Sequence, residues 1–157
     1  MAKLEKQLKK RGAFESVEAE VVISVLRTNE LFQHKFGQLF REFGLNQPQY
    51  NVLRILYGER DRLPSLEIAS RMITVVPAIT GLVDKLEKKE LVKRERGTED
   101  RRVWYVQLTK KGEKLIEQMR DSNTAMHKRL VGQLTKKEAK QLLELLQKAR
   151  ESTENWE

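Results

Sequence analysis

The sequence predicts a mainly α-helical fold that carries one small β-hairpin. Three observations lead there. Over residues 14–43, 75–89 and 110–149 the apolar side chains recur at steps of three and four, the spacing that lines one face of a helix. Between residues 91 and 108 that period gives way to two short runs rich in branched and aromatic residues, separated by a polar stretch beginning at Gly97. The bulk composition agrees: 157 residues, 39% hydrophobic and 34% charged, make a single domain with its own core, too apolar for a disordered tail.

Residues 1–12 are lysine-rich and end in Gly12, which reads as a frayed helix or a flexible arm. From Phe14 a long helix is expected, with Phe14, Val17, Val21, Val25, Phe32, Phe36, Leu39 and Phe43 in one stripe and Gly44 as its stop. So long a stripe exceeds what one small core can cover, so part of it is expected to meet a second chain. Asn46 is a cap for the next helix, Pro48 fits its first turn, and Tyr50, Leu53 and Leu56 face inward. Residues 58–64 read as a polar loop, after which Ser65 caps a short helix, Leu66 to Met72, that buries Leu66, Ala69 and Met72. A turn at Ile73 and Thr74 leads into a helix from about Val75 to Lys89. Its core face is Ile79, Leu82, Val83 and Leu86, and Pro77 lies in its first turn, where a missing N–H does no harm.

Residues 91–96 and 103–108 are the two strands, and 97–102 the loop between them. Thr109 caps a helix bearing Leu115, Met119, Met126 and Leu130 on one face. Thr135 and Glu138 form a capping box that opens the last helix, with Leu142, Leu143, Leu145, Leu146 and Ala149.

Several functions are disfavoured by what the chain lacks. Without cysteine there is no disulfide, no Cys-based zinc site and no thiol switch. His34 and His127 are the only imidazoles and read as surface or half-buried polar residues, so neither a metal centre nor a His-assisted nucleophile is expected. The carboxylates fall in helical charge patterns, with no glycine-rich phosphate loop or nucleophile elbow, so the chain is not expected to be an enzyme or to need a cofactor. No apolar run is long enough to cross a bilayer, and Met1 to Arg11 lacks the apolar core of a signal peptide; the expectation is a cytoplasmic protein with no membrane partner. A net charge of +8 and a pI near 9.7 favour a polyanion, whether DNA, RNA or an anionic membrane surface.

The order of elements narrows that choice. Two short helices joined by a tight turn, followed by a basic hairpin, form a winged helix-turn-helix plan. The helix from Val75 turns one side to the core and presents Val76, Pro77, Thr80, Gly81, Asp84, Lys85 and Lys88 on the other. Val75 and Val76 suit thymine methyl groups, Thr80 a base or phosphate, and Lys85 and Lys88 the backbone. Ser65 at the head of the first short helix and Thr74 in the turn join them as DNA-contact candidates. The hairpin adds Arg94, Arg96, Arg101 and Arg102, with Asp100 spaced to orient Arg102 across the tip.

Asp100-Arg101-Arg102, then Val106-Gln107-Leu108-Thr109 and Gly112, resembles the wing signature of the MarR family of regulators. Val83-Asp84-Lys85-Leu86-Glu87, followed by Glu90-Leu91-Val92-Lys93-Arg94, is similar to the end of that family's recognition helix and its first wing strand, and Pro77 matches a proline found early in that helix. The likeness covers residues 14 to 150. It departs at Gly81, where many relatives carry a polar or basic residue, and at Val75 and Val76, where Ser or Thr with a basic neighbour is common.

The resemblance implies one domain over residues 1–157, built as a winged helix-turn-helix lobe (46–108) flanked by N- and C-terminal dimerisation helices (14–44 and 109–150). It implies a homodimer on double-stranded DNA, reading a palindromic operator with half-sites about one turn apart and acting as a repressor. In the family the arginine matching Arg102 enters the minor groove and the aspartate matching Asp100 holds it. In that family small aromatic or lipophilic effectors, commonly phenolic acids, often release the protein from DNA; the stretch Arg27 to Phe36 with His34 reads equally as a place for such a ligand and as ordinary packing. Two alternatives stay open: a nucleic-acid binder without sequence preference, and a winged-helix module for protein assembly.

Overall fold

A computed structural model of the chain describes residues 4–75, 79–98 and 100–154. It divides into two compact units, residues 1–117 and 118–157.

In the first unit a single turn, α1 (Leu4–Gln7), precedes the long helix α2 (Val17–Glu42). Ser16 caps α2 by accepting from the Ala19 N–H at 3.1 Å, so Phe14 falls before the helix rather than inside it. The helix ends as its composition requires, with Gly44 at φ +68, a conformation glycine adopts without a Cβ penalty. Only Leu39 and Phe40 of α2 are buried, and Phe40 stacks on Tyr50 at 4.2 Å between ring centroids. Toward its start, Val17, Val21, Val22, Val25 and Leu26 are exposed.

Helix α3 (Gln47–Glu59) is the centre of the unit, with Val52, Leu53, Ile55 and Leu56 all buried. Its start is a reciprocal cap: Asn46 Oδ1 accepts from the Gln49 N–H at 2.9 Å, and Gln49 Oε1 accepts from the Asn46 N–H at 3.1 Å. That arrangement gives the side-chain carbonyl of the buried Gln49 a partner, where an unpaired polar atom is costly.

The end of the expected loop is different. Leu63–Pro64 forms a short strand, β1, which pairs antiparallel with the last strand of the hairpin, Leu63 opposite Val106 and Pro64 opposite Tyr105. This pairing fixes the chain's entry into α4 (Ser65–Ser70) and shifts its phase. Ser65 is therefore the first helical residue and not the cap, which is Pro64 and makes no side-chain bond. Ile68, fully buried, is the core residue of α4, whereas Leu66 is 81% exposed.

Helix α5 (Ile79–Lys88) buries Ile79, Leu82, Val83 and Leu86, as its spacing demands. Val76, Pro77 and Ala78, at the expected start of this helix, lie outside the described residues, as does Glu99. Strands β2 (Val92–Arg96) and β3 (Trp104–Leu108) pair antiparallel with Val92 opposite Leu108 and Arg96 opposite Trp104, giving a sheet ordered β1-β3-β2. The pleat sorts its residues by face. Val92, Arg94 and Arg96 share one face with Leu108, Val106 and Trp104, and this face is buried at the Val92 and Val106 level and open at the Trp104 level.

Helix α6 (Lys110–Leu130) crosses the division between the units. Thr109 caps it: its Oγ1 accepts from the Gly112 N–H at 3.1 Å and donates to the Glu90 carbonyl at 2.7 Å. A Cβ on Gly112 would stand well inside van der Waals contact distance of the Leu91 carbonyl oxygen, so glycine lets α6 start against the head of β2. In the second unit, α7 (Lys136–Glu154) opens with the expected capping box, Glu138 N–H to Thr135 Oγ1 at 3.3 Å and Thr135 N–H to Glu138 Oε2 at 2.7 Å. Leu142, Leu143 and Leu145 of α7 are exposed.

Candidate nucleic-acid interface

Helix α5 is held by its four buried residues, which leaves a defined outer side: Thr80, Lys85 and Lys88 are exposed, Gly81 and Asp84 half-buried. A Cβ at Gly81 would meet nothing within 4 Å, so the core does not require a glycine there. Ahead of α5, Thr74 is exposed and Val75 is 90% exposed. Arg71, at the end of α4, ties that helix to α3, reaching Glu59 at 2.6 Å and Glu67 at 2.8 Å; those hydrogen bonds, Glu59 first, raise its pKa above the ordinary arginine value.

Of the hairpin arginines, Arg94 stands apart. Its guanidinium reaches Asp84 Oδ1 at 2.7 Å and Glu87 Oε2 at 2.7 Å, and its backbone N–H donates to Glu87 Oε1 at 3.1 Å. With only 26% of its side chain exposed, it neutralises two carboxylates of α5 and locks that helix to β2. Asp84 and Arg94 are thus joined to each other, an arrangement the sequence spacing did not reveal.

Arg96 meets no carboxylate among the described residues and lies instead over the Trp104 ring, its Cζ 5.0 Å from the ring centroid. At the tip, Asp100 Oδ1 accepts from the Arg102 backbone N–H at 2.9 Å and stands 3.5 Å from Arg102 Nε, while the Arg102 side chain is 94% exposed. A short carboxylate turn therefore holds the base of an arginine that projects into solvent. Arg101 is exposed beside it. On the opposite face Arg62 stacks on Tyr105 at 4.7 Å and meets Glu95 at 3.7 Å. The Lys93 hydrogen bond at 2.8 Å, then its charge, holds Glu95 below the ordinary carboxylate range.

Ser65 takes a role other than capping: its Oγ donates to the Trp104 carbonyl at 3.3 Å, linking α4 to β3. This bond, β1 itself and the aromatic–arginine pairs were not foreseen. A two-residue strand is too short to display a period, but the alternation Trp104, Val106, Leu108 on one face was readable and places Trp104 opposite Arg96. Cationic Lys85, Lys88, Arg96, Arg101 and Arg102 are thus exposed on α5 and the hairpin that follows it.

Residues 45–104 of this winged helix-turn-helix match the family model for the MarR family. The chain is 33% identical over 105 residues to the HTH-type transcriptional regulator MhqR of Bacillus subtilis (strain 168), spanning 67% of this chain and 72% of that one. The chain belongs to the MarR family. A second relative, the homoprotocatechuate degradative operon repressor of Escherichia coli, is 26% identical over 127 residues, 81% of this chain and 85% of that protein. Among solved structures, the S. aureus MepR–DNA complex superposes with a TM-score of 0.77 at 27% identity over 83% of this chain and 96% of that one. As a MarR-family protein the chain is a DNA-binding transcriptional regulator and not an enzyme. Among its described residues no helix is long and apolar enough to cross a membrane.

Proposed function

We propose that this MarR-family protein is a repressor that binds a palindromic operator as a homodimer, laying α5 in a major groove and its hairpin along the flanking minor groove. The observation that carries this reading is the Asp100–Arg102 tip: an arginine anchored at its backbone yet 94% exposed, beyond a helix whose outer side carries Lys85 and Lys88. Such an arginine suits a narrow minor groove, and the lysines suit phosphates. Thr80, Gly81, Val75 and Thr74 supply the small and apolar groups that read base edges, with Val76 and Pro77 next to them in sequence. The repressor among the relatives and the DNA complex among the similar structures favour the same assignment.

Residues 46–108 form the DNA-binding lobe in this reading, and 14–44 with 109–150 the dimer helices. The exposed apolar residues of α2 and of α7 support it, because burying such stripes in water requires a second apolar surface. Release by a small aromatic acid is favoured by Arg27, whose Nε is buried with no hydrogen-bond partner among the described residues; a carboxylate would satisfy it. His34, bonded to Gln38 at 3.1 Å, lies on the same helix.

Selection of bound sequences from a random duplex pool at physiological salt tests the reading. The expected result is an enriched palindrome with half-sites about 34 Å apart. Binding without enrichment would leave charge alone as the basis of affinity, and no binding would leave a protein-assembly module.

A further inference from the structure

Trp104 is not part of the hydrophobic core, and its side chain makes no hydrogen bond among the described residues, yet its backbone is held on several sides. Its carbonyl accepts from Ser65, and its strand is paired on both sides, with β1 one residue on and with Arg96 directly opposite. The indole that this fixed backbone carries is 43% exposed and has two guanidiniums against it, Arg96 at 5.0 Å and Arg94 at 5.7 Å. The two differ in one respect. The N–H groups of Arg94 are used by Asp84 and Glu87. Those of Arg96 meet no carboxylate among the described residues.

A guanidinium that stacks on a ring keeps its N–H edge free to donate, and its planar fork matches phosphate oxygens. We propose that Trp104 is a positioning residue for DNA binding: its ring holds Arg96 in place, so that the free edge of that guanidinium meets a backbone phosphate beside the groove that receives α5. The ring removes rotamer freedom from a long side chain before binding, a cost the complex would otherwise bear. Arg94 on the same ring ties Trp104 to α5 and so registers the stack against the helix. This inference rests on the DNA-binding function proposed above.

The test uses the full chain, the enriched duplex and anisotropy titrations over a range of salt, with Trp104→Ala, Trp104→Phe, Arg96→Ala and the double variant Trp104→Ala/Arg96→Ala. Arg96→Ala should lower the salt slope by about 0.9, one phosphate contact. Trp104→Ala, which removes no charge, should bind about two- to fivefold more weakly with part of the same slope lost, the range expected of an exposed cation–π pair. Trp104→Phe, which keeps a ring and the strand, should recover most of both. The double variant should bind no more weakly than Arg96→Ala alone, since the ring acts through the arginine. In a Trp156→Phe background Trp104 is the sole tryptophan, and its emission should change when duplex is added.

Wild-type affinity and slope in Trp104→Ala, or strictly additive losses in the double variant, would overturn the proposal. So would a loss on single-stranded DNA as large as on duplex, since the ring would then be stacking on bases. Wild-type protein that binds no duplex would remove the DNA-binding function and this inference together, whereas an indifferent Trp104→Ala in a binding-competent protein removes this inference alone.

Discussion

Replacing Arg94 by methionine separates two roles that an arginine in a basic hairpin could play. Methionine keeps most of the apolar stem and removes the guanidinium. In the structure that group makes ion pairs of 2.7 Å to Asp84 and 2.7 Å to Glu87, with the arginine side chain 26% exposed and the two acids 43% and 36%. Surface pairs contribute about 0–1 kcal/mol, and buried bonds to charged groups about 1.5–3 kcal/mol. This intermediate exposure puts each pair near ~1 kcal/mol. Losing both also leaves Asp84 and Glu87 one turn apart on α5 without a counter-charge, which costs a few tenths more. The sum is about 2 kcal/mol, or about 4–8 °C in Tm for a chain of this length. Thermal unfolding at fixed protein concentration reads that change, and salt titration of duplex binding is run beside it. The expected result is a lowered Tm with an unchanged salt slope. An unchanged Tm with a slope reduced by about 0.9 would mean that Arg94 serves a phosphate, and would refute the locking role.

Gly81→Ala should raise stability by about 1 kcal/mol, because the site has room for a methyl group and alanine favours helix, while weakening specific binding; tighter or equal binding would show that α5 does not approach DNA at that residue. Gly112→Ala should cost about 1–3 kcal/mol by denaturant unfolding, since its Cβ collides with the Leu91 carbonyl and packs 3.0 Å from Leu108 Cδ2. Arg102→Ala should weaken operator binding by about 1–3 kcal/mol, and Asp100→Asn by less, as measured by anisotropy; equal affinity for both variants and wild type would remove the tip from the interface. Glu90 has a pKa below its ordinary 4.5 because Lys111 donates to it and then because of that residue's charge. A lowered carboxylate pKa means stability that is whole above the ordinary value and lost as the pH falls through the folded one. Melting curves taken from neutral pH into the acid range should therefore show a smaller acid loss in Lys111→Met than in wild type.

Much of this fold was legible because its signals are local. The caps at Asn46 and Thr135, the stop at Gly44 and the core positions Ile79, Leu82, Val83 and Leu86 each follow from residues within a turn or two. What escaped is non-local. Strand β1 exists because Leu63 and Pro64 find partners more than forty residues away, and the helix that follows it buries Ile68 and not Leu66. The site divides the same way. Exposure of Lys85, Lys88 and Arg102 was readable from the pattern, but the pairing of Arg94 with Asp84 and Glu87 depends on how β2 lies along α5. Composition makes Arg94 and Arg96 of β2 look equivalent; packing gives them different neighbours.

The bond from Ser65 to the Trp104 carbonyl and the lock between Arg94 and α5 have a consequence for how a half-site is measured. Together with β1 they fasten α4, α5 and the hairpin to one another, so that in the binding mode proposed above the major-groove and minor-groove contacts are carried by one piece. The distance between those contacts along the duplex is then a fixed gauge of the protein. An extra base pair within a half-site has to be absorbed by deforming the DNA, at an energy set by the sequence of the step being bent.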